Sequence, residues 1–271
     1  AGFVGIGVGV FALILINSVM NGFNQAIRDR HLKVEPHIIV WFEKNILANE
    51  QEEISSTISK DKDVVVSYFE EQDVLIRTND ANHSGAVAVG LEEPAIEKML
   101  AGVEGIESVE LRTNEIYIGR DLAYSLGVFN DDLIVIVAPE TLLLPAGEVP
   151  KYEQVRVKGV ISTRVADVDA QKIFYVRRKS LARFQDSPSF KSGLQVQLKD
   201  PMNYEGKAKE LKAMGFKVET WVDRNSTMFF ALKVEKTIIA AFLGLSTIIS
   251  SFSIVTVLVL LFAQKRREFG V

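Results

Sequence analysis

The stretch TIIAAFLGLSTIISSFSIVTVLVLLFAQ, residues 237–264, runs for 28 residues without an Asp, Glu, Lys or Arg. As a helix it would extend about 42 Å at 1.5 Å per residue, against a bilayer hydrocarbon core about 30 Å thick. It shows no polar stripe that would mark a solvated face, so a soluble core helix is a poor fit and a tilted transmembrane span is predicted. QKRRE follows at once, placing three cations within a few residues of the apolar run. Cytoplasmic flanks are rich in Lys and Arg, so this end is predicted to face the cytoplasm.

A second charge-free block lies at the other end, Ala1 to about Asn21, and no charged residue precedes Arg28. Its length is close to the minimum of about 20 residues for a span. A signal peptide would need a basic start and a cleavage site after a shorter apolar run, and neither is present, so a true span is predicted. The chain begins with Ala rather than Met, and residues before Ala1 are expected to have been removed. All 31 Lys and Arg and all 35 Asp and Glu fall between Arg28 and Glu268. The two spans thus bracket a charged region of roughly 200 residues, placed outside the cytoplasm and too long for its own charges to set topology.

Within the first block, GVGVFA (Gly7 to Ala12) fits G-x-G-x-x-A and has Asp29 at about the right distance for a dinucleotide fingerprint. That motif works only where a strand turns into a helix whose N-terminus holds a pyrophosphate, and here no strand precedes it. Gly5 and Gly9 instead have the four-residue spacing that lets membrane helices approach closely, so they are predicted to pack against a neighbouring helix.

The charged region reads as α+β. HIIVWF (His37 to Phe42), VVVSYF with DVLIRT (Val64 to Thr78) and AVAVGL (Ala86 to Leu91) are β-branched runs bounded by turns, and are predicted strands. Between the first two, Leu47, Ile54 and Ile58 share one helical face. The order recurs as LQVQLK (Leu194 to Lys199), a helix over Asn203 to Met214, and FKVETW (Phe216 to Trp221). Shorter segments lie between: EIYIG, the helix GRDLAYSLGV, DDLIVIVAP, QVRVKGVIS and KIFYV. The predicted organisation is a span at 1–21, a helical stalk at 22–36, an α+β subdomain from 37–91 with 185–222, and an inserted β-rich subdomain at 92–184. A second stalk at 223–236, a span at 237–264 and a cytoplasmic segment at 265–271 follow.

Several chemistries are excluded by pattern. The net charge of −4 gives no reason to expect nucleic acid. There are no cysteines, hence no thiolate metal site or disulfide. His31, His37 and His83 lack zinc-site spacing and are expected at the surface or an interface. No G-x-S-x-G and no G-x-x-x-x-G-K-[ST] occurs, so neither a nucleophile elbow nor a nucleotide phosphate cradle is expected, and any ATP must be hydrolysed by a partner. The cluster YVRRKS (Tyr175 to Ser180) reads chiefly as a solvated face at a helix start, with a lipid or partner contact as the alternative. APETLLLPAGEVPKY (Ala138 to Tyr152) sets three leucines among three prolines. Pro removes ladder hydrogen bonds, so an irregular or hairpin-like excursion is predicted, whose leucines either fold back or meet a partner.

SVMNGFNQAIRDRHLKVEPHIIV, VAVGLEEPAIE, IYIGRDLAYSLGV, VRVKGVIS and WVDRNSTMFFALKVEKT followed by a span and QKRREFGV together resemble, in order, the LolC/LolE family. These are permease subunits of the bacterial lipoprotein-releasing ABC transporter, of the MacB-like type VII class. The resemblance implies a MacB-like periplasmic core domain carried on two transmembrane helices in the inner membrane, working by mechanotransmission. It implies no catalysis and no cofactor in this chain, with ATP and Mg²⁺ held by a separate LolD-like ATPase. A second permease subunit, a LolA-like periplasmic chaperone and lipoprotein substrates are the other implied partners. Lys265, Arg266, Arg267, Glu268 and Gly270 would begin the segment that contacts the ATPase, with simple positive-inside anchoring as the alternative for the three cations. Leu142, Leu143, Leu144 and Pro145 match in place a hook that grips the chaperone, here altered in length and without an aromatic tip. Met20, Phe23, Met228 and Phe229 would lie near the mouth of a lipoprotein cavity, or serve helix packing. Family members continue into two more transmembrane helices, so a fragment is expected. The alternatives are a MacB-type permease for peptide or drug export and a two-span sensory receptor.

Overall fold

The computed structural model describes residues 11, 14, 15, 17–22, 25, 26, 31, 32, 34–43, 46–101, 103, 110–143 and 150–268, with the side chains at 142, 143, 202 and 266–268 excepted. The chain divides into two compact units, one formed by residues 1–28 and 225–271 and the other, the head, by Asp29–Arg224.

Among its described residues the head contains one mixed sheet of nine strands. They are β1 (Ile38–Trp41), β2 (Val64–Arg77), β3 (His83–Leu91), β4 (Glu115–Gly119), β5 (Leu133–Val137), β6 (Tyr152–Ile161), β7 (Lys172–Val176), β8 (Lys191–Leu198) and β9 (Lys217–Thr220). Among the described residues, the α-helices that accompany them are α1 (Ala48–Ile58), α2 (Glu93–Leu100), α3 (Arg120–Leu126), α4 (Ala166–Gln171), α5 (Tyr204–Ala213) and α6 (Trp221–Arg224).

Strand β2 decides the architecture. Its first half, Val64–Glu71, pairs antiparallel with β8, and its second half, Leu75–Arg77, pairs with β5 along the same edge. Its opposite edge pairs with β3 over Phe69–Arg77. From β3 the ladder continues through β7, β4, β6 and β5 back to β2, closing six strands into a barrel. Closure removes sheet edges, and a barrel this narrow must be filled by side chains. Alternation supplies them: Val74 and Ile76, Ala86 and Ala88, Ile116 and Ile118, Ile134 and Ile136, Val155 and Val157, and Ile173 and Tyr175 all enter one buried cluster with Phe184. Tyr175 is the largest of the strand residues inside. It fits because Gly90 opposes it; a Cβ there would stand 2.6 Å from the ring Cζ. Gly127, at φ 69°, ends α3 in the left-handed conformation that only a residue without a Cβ adopts freely.

The other face of β3, β7 and β4 is covered by α2 and α4, through Ile96, Met99, Leu100 and Val168 against Val89, Leu91, Tyr117 and Phe174. Beyond the barrel the sheet opens in the order β2, β8, β1, β9. Here Ile38, Val40, Leu194 and Val196 face Ile58 of α1 and Ala208 and Leu211 of α5. Ile39, on the reverse face of β1, joins the α2 cluster, so β1 is buried on both sides.

Three expectations change. Hydrogen bonding does not break at residue 91: β3 pairs with β7, so the barrel takes in β2 and β3 as well as the segment 92–184. Leu47 is exposed rather than inward, because it precedes the first turn of α1, where its N–H is bonded by Glu50. His31 and His37 are buried, not superficial. His37 Nδ1 accepts from Leu198 N–H at 2.9 Å, which leaves Nε2 to donate to the Leu32 carbonyl at 3.1 Å and makes the ring neutral. Burial pushes its pKa below the ordinary 6.5, the hydrogen bond it donates to the Leu32 carbonyl opposes this, and the charge of Lys98 adds to the lowering.

In the other unit, the described residues between 11 and 26 are helical, and α7 (Ser226–Glu268) is a single helix of 43 residues. Among the described residues it is the one helix long and apolar enough to cross a membrane, and none of its apolar window is buried. Phe242, Phe252 and Phe262 are each at least 65% exposed, a surface that water would penalise and hydrocarbon would accept. Four of its hydroxyls are satisfied without water: Thr237, Thr247, Ser251 and Thr256 donate back to the carbonyls of Lys233, Leu243, Thr247 and Phe252.

Candidate functional site

The Leu-Pro segment is the connection between β5 and β6. Antiparallel pairing of Val137 with Tyr152, and Ala138 N–H donating to the Lys151 carbonyl at 3.3 Å, bring its two ends together. The outgoing arm begins as a 3₁₀ turn, Pro139–Leu143, because Thr141 returns both its N–H and its hydroxyl to the Ala138 carbonyl. Glu140 of this turn accepts from Ser187 Oγ at 3.0 Å, so the arm is braced against the loop before β8. Tyr152, half exposed, stands beside the root of the excursion. Leu144 and Pro145, with the side chains of Leu142 and Leu143, lie outside the described residues.

Met20 borders a cavity of about 280 Å³ with Asn17, Asn21, Glu235, Lys236, Ile239, Ala240 and Leu243. Its lining mixes polar and apolar side chains, an amphipathic surface. Met228 and Phe229 are not brought to it; they sit six or seven residues before Glu235 on α7, about 10 Å along the axis. Phe23 lies outside the described residues. Glu235 and Lys236, the last charges before the apolar run, were the sequence signal for this location and were not singled out. Lys265 is exposed near the end of α7, and the backbone of Arg266, Arg267 and Glu268 continues the helix. Their side chains, together with Gly270, Gly5 and Gly9, lie outside the described residues.

The YVRRKS cluster is corrected. It ends β7 rather than starting a helix, and two of its cations are engaged within the head. Arg177 Nε donates to Glu70 Oε1 at 2.6 Å, while its guanidinium lies 4.4 Å from the centre of the Tyr68 ring. Lys179 pairs with Glu93. Tyr175 donates to the same Glu70 at 3.4 Å, and its pKa is pushed well above 10.0 by burial and then by the Glu70 charge. Within the interrupting EEQ of β2, Glu70 is therefore answered by Arg177 and Tyr175. Gln72, fully buried beside it, has no protein hydrogen-bond partner for either amide atom among the described residues. No group of three or more metal-ligating residues occurs among the described residues.

No protein-family model matches the chain. Curated relatives do. The LolC transmembrane protein of the lipoprotein-releasing system from Neisseria meningitidis is 26% identical over 98% of this chain and 66% of its own length. Its counterpart from Xylella fastidiosa is 23% identical over 100% of this chain and 67% of its own, and that from Buchnera aphidicola of Schizaphis graminum is 25% identical over 98% and 67%. The chain thus spans about two thirds of the length of the curated relatives it matches. Among solved structures, the periplasmic region of MacB from Actinobacillus actinomycetemcomitans aligns with 71% of this chain and 92% of its own at 11% identity and a TM-score of 0.42. The extracellular domain of the ABC-type transporter YknZ from Gram-positive bacteria covers 68% and 98% at 12% identity and 0.38. From one end to the other, this chain is similar to the LolC transmembrane proteins of lipoprotein-releasing systems.

Proposed function

We propose that the chain forms the membrane-anchored head of an ABC transporter permease that releases lipoproteins from the inner membrane. The observation that carries this reading is the alignment with LolC proteins along 98–100% of the chain. The 43-residue α7, apolar through its middle and ending in Lys-Arg-Arg-Glu, supports a membrane helix that reaches a cytoplasmic partner. In this reading ATP and Mg²⁺ are bound and consumed by a separate LolD-like ATPase, seated against Lys265 and the residues after it. A second permease subunit completes the membrane part, and the two-span arrangement includes the block before Asn21. The β5–β6 excursion receives a LolA-like chaperone, and the amphipathic cavity at Met20, Glu235 and Lys236 lies on the lipoprotein's path.

The test is release. The full-length protein, reconstituted with its ATPase in liposomes carrying a fluorescent lipoprotein, is expected to transfer it to soluble chaperone on addition of ATP; no transfer in that system would end the reading. Leu143→Asp with Leu144→Asp is expected to weaken chaperone pull-down by about ten-fold or more, as for loss of a hot spot, with the head still folded. Unchanged capture would remove the hook from the assignment.

A further inference from the structure

The chain enters and leaves the head side by side. Ile38 pairs with Thr220, and Trp221 N–H donates to the His37 carbonyl at 3.0 Å. Both strands belong to the open half of the sheet, which is hydrogen-bonded to the barrel through β2. The barrel, however, carries the β5–β6 excursion.

Two largely buried ion pairs supply a second connection. Lys172, the first residue of β7, donates from Nζ to Glu35 Oε1 at 2.7 Å, with side chains 14% and 8% exposed. Arg224, which closes α6, donates from Nη2 to Glu71 Oε2 at 2.7 Å, with side chains 15% and 18% exposed. Glu71 lies where β2 is paired with β3 and β8 together, at the junction of barrel and open sheet. Glu35 and Arg224 also belong to one cluster, since both line a crevice with Val34, Phe69 and Lys172. Burial works against the Arg224 charge, and Glu71 followed by Glu35 and Glu219 more than offset it, raising its pKa. His31 Nδ1 stands 3.7 Å from Glu35.

Buried ion pairs contribute little net stability compared with apolar packing of the same volume, but they fix geometry. The apolar contact of Ile39 with the α2 cluster can slide, whereas a charge-assisted hydrogen bond has a direction. We propose that Glu35–Lys172 and Arg224–Glu71 form a latch that makes the barrel turn with the two chain ends, so that movement imposed on residues 31–36 and 221–224 reaches the β5–β6 excursion. The latch rests on the permease reading, in which the flanking helices move the head.

These 271 residues contain no cysteine, so once any cysteines elsewhere in the full-length protein and its ATPase are replaced by serine, pairs of spin labels can be introduced into the assembled complex. Labels at Tyr124→Cys, on the helix α3 that packs against the barrel interior through Leu122, Ala123 and Leu126, and at Lys217→Cys on β9 report barrel against chain ends; Lys217→Cys with Val65→Cys reports the open sheet alone. In Lys172→Met/Arg224→Met the Tyr124–Lys217 distance distribution is expected to widen about two-fold while the Lys217–Val65 distribution is kept. ATP hydrolysis is expected to persist and lipoprotein release to fall about five-fold or more. Lys199→Met, which removes an exposed pair with Asp63, is expected to change neither. An unchanged Tyr124–Lys217 width overturns the latch, as does a widened distribution with wild-type release. If both distributions widen in the double variant, the single variants Lys172→Met and Arg224→Met are read by the same criteria. Wild-type protein that releases nothing refutes the permease reading, and the label distances then still decide whether the pairs hold the barrel.

Discussion

The barrel and the open half of the head share β2 yet finish their sheets differently. The barrel closes through six strands, and its interior is set by residues that face each other from all sides, from Ile76 and Ile118 to Phe184. The open half leaves β9 at an edge and covers one face with two short helices, α1 and α5. A closed shell cannot collapse around a missing side chain, whereas a helix lying on a sheet can move to meet the gap. The same apolar area is therefore expected to be worth more in the barrel.

Phe184→Ala is expected to produce the largest effect, a loss of about 3–5 kcal/mol in urea unfolding of the detergent-solubilised protein. Leu211→Ala, which truncates an equally buried residue of α5, is expected to cost less, about 2–3 kcal/mol, because α5 can settle toward β8. Equal costs after allowing for side-chain size would break the comparison. The smallest effect concerns pH. His37 has a folded pKa below 6.5, so the unfolded chain binds more protons on acidification. Its contribution is complete above pH 6.5 and is lost as pH falls from there toward the folded value. Hydrogen exchange at β1 and β8 is expected to rise between pH 7 and 5.5 before that of β4 and β6, and His37→Gln to flatten the dependence. Simultaneous loss in both halves would show that β2 makes them a single cooperative unit.

Much of the sheet was legible because its strands obey local alternation; EIYIG, DDLIVIVAP, QVRVKGVIS and KIFYV each became a strand. Barrel closure was not legible, since it depends on β3 meeting β7 across more than eighty residues, and no local pattern encodes that pairing. VVVSYF and DVLIRT were separated in the sequence by EEQ, although they form one strand of 14 residues. The polar interruption signals burial of a different kind, an inward Glu70 whose partner Arg177 lies 107 positions on. Helix α2 was passed over despite Pro94 in its first turn and Ile96, Met99 and Leu100 on one face, a signal that was present. Of the candidate sites, the place of the β5–β6 excursion was readable from its prolines. The membrane-side residues were not, because which turn of α7 meets the helical residues around Met20 is set by packing rather than by composition.

The adjacency of His37 and Trp221 also bears on how such molecules diversify. A domain whose two ends lie one strand spacing apart, about 4.8 Å, occupies no more of the chain's path than a tight loop would. Everything between those residues can be exchanged for another fold with neighbouring termini while the flanking helices keep their connection. The head is in this sense a cassette, and a chimera that grafts a foreign head between Pro36 and Val222 is the natural way to ask which half of the protein chooses its client.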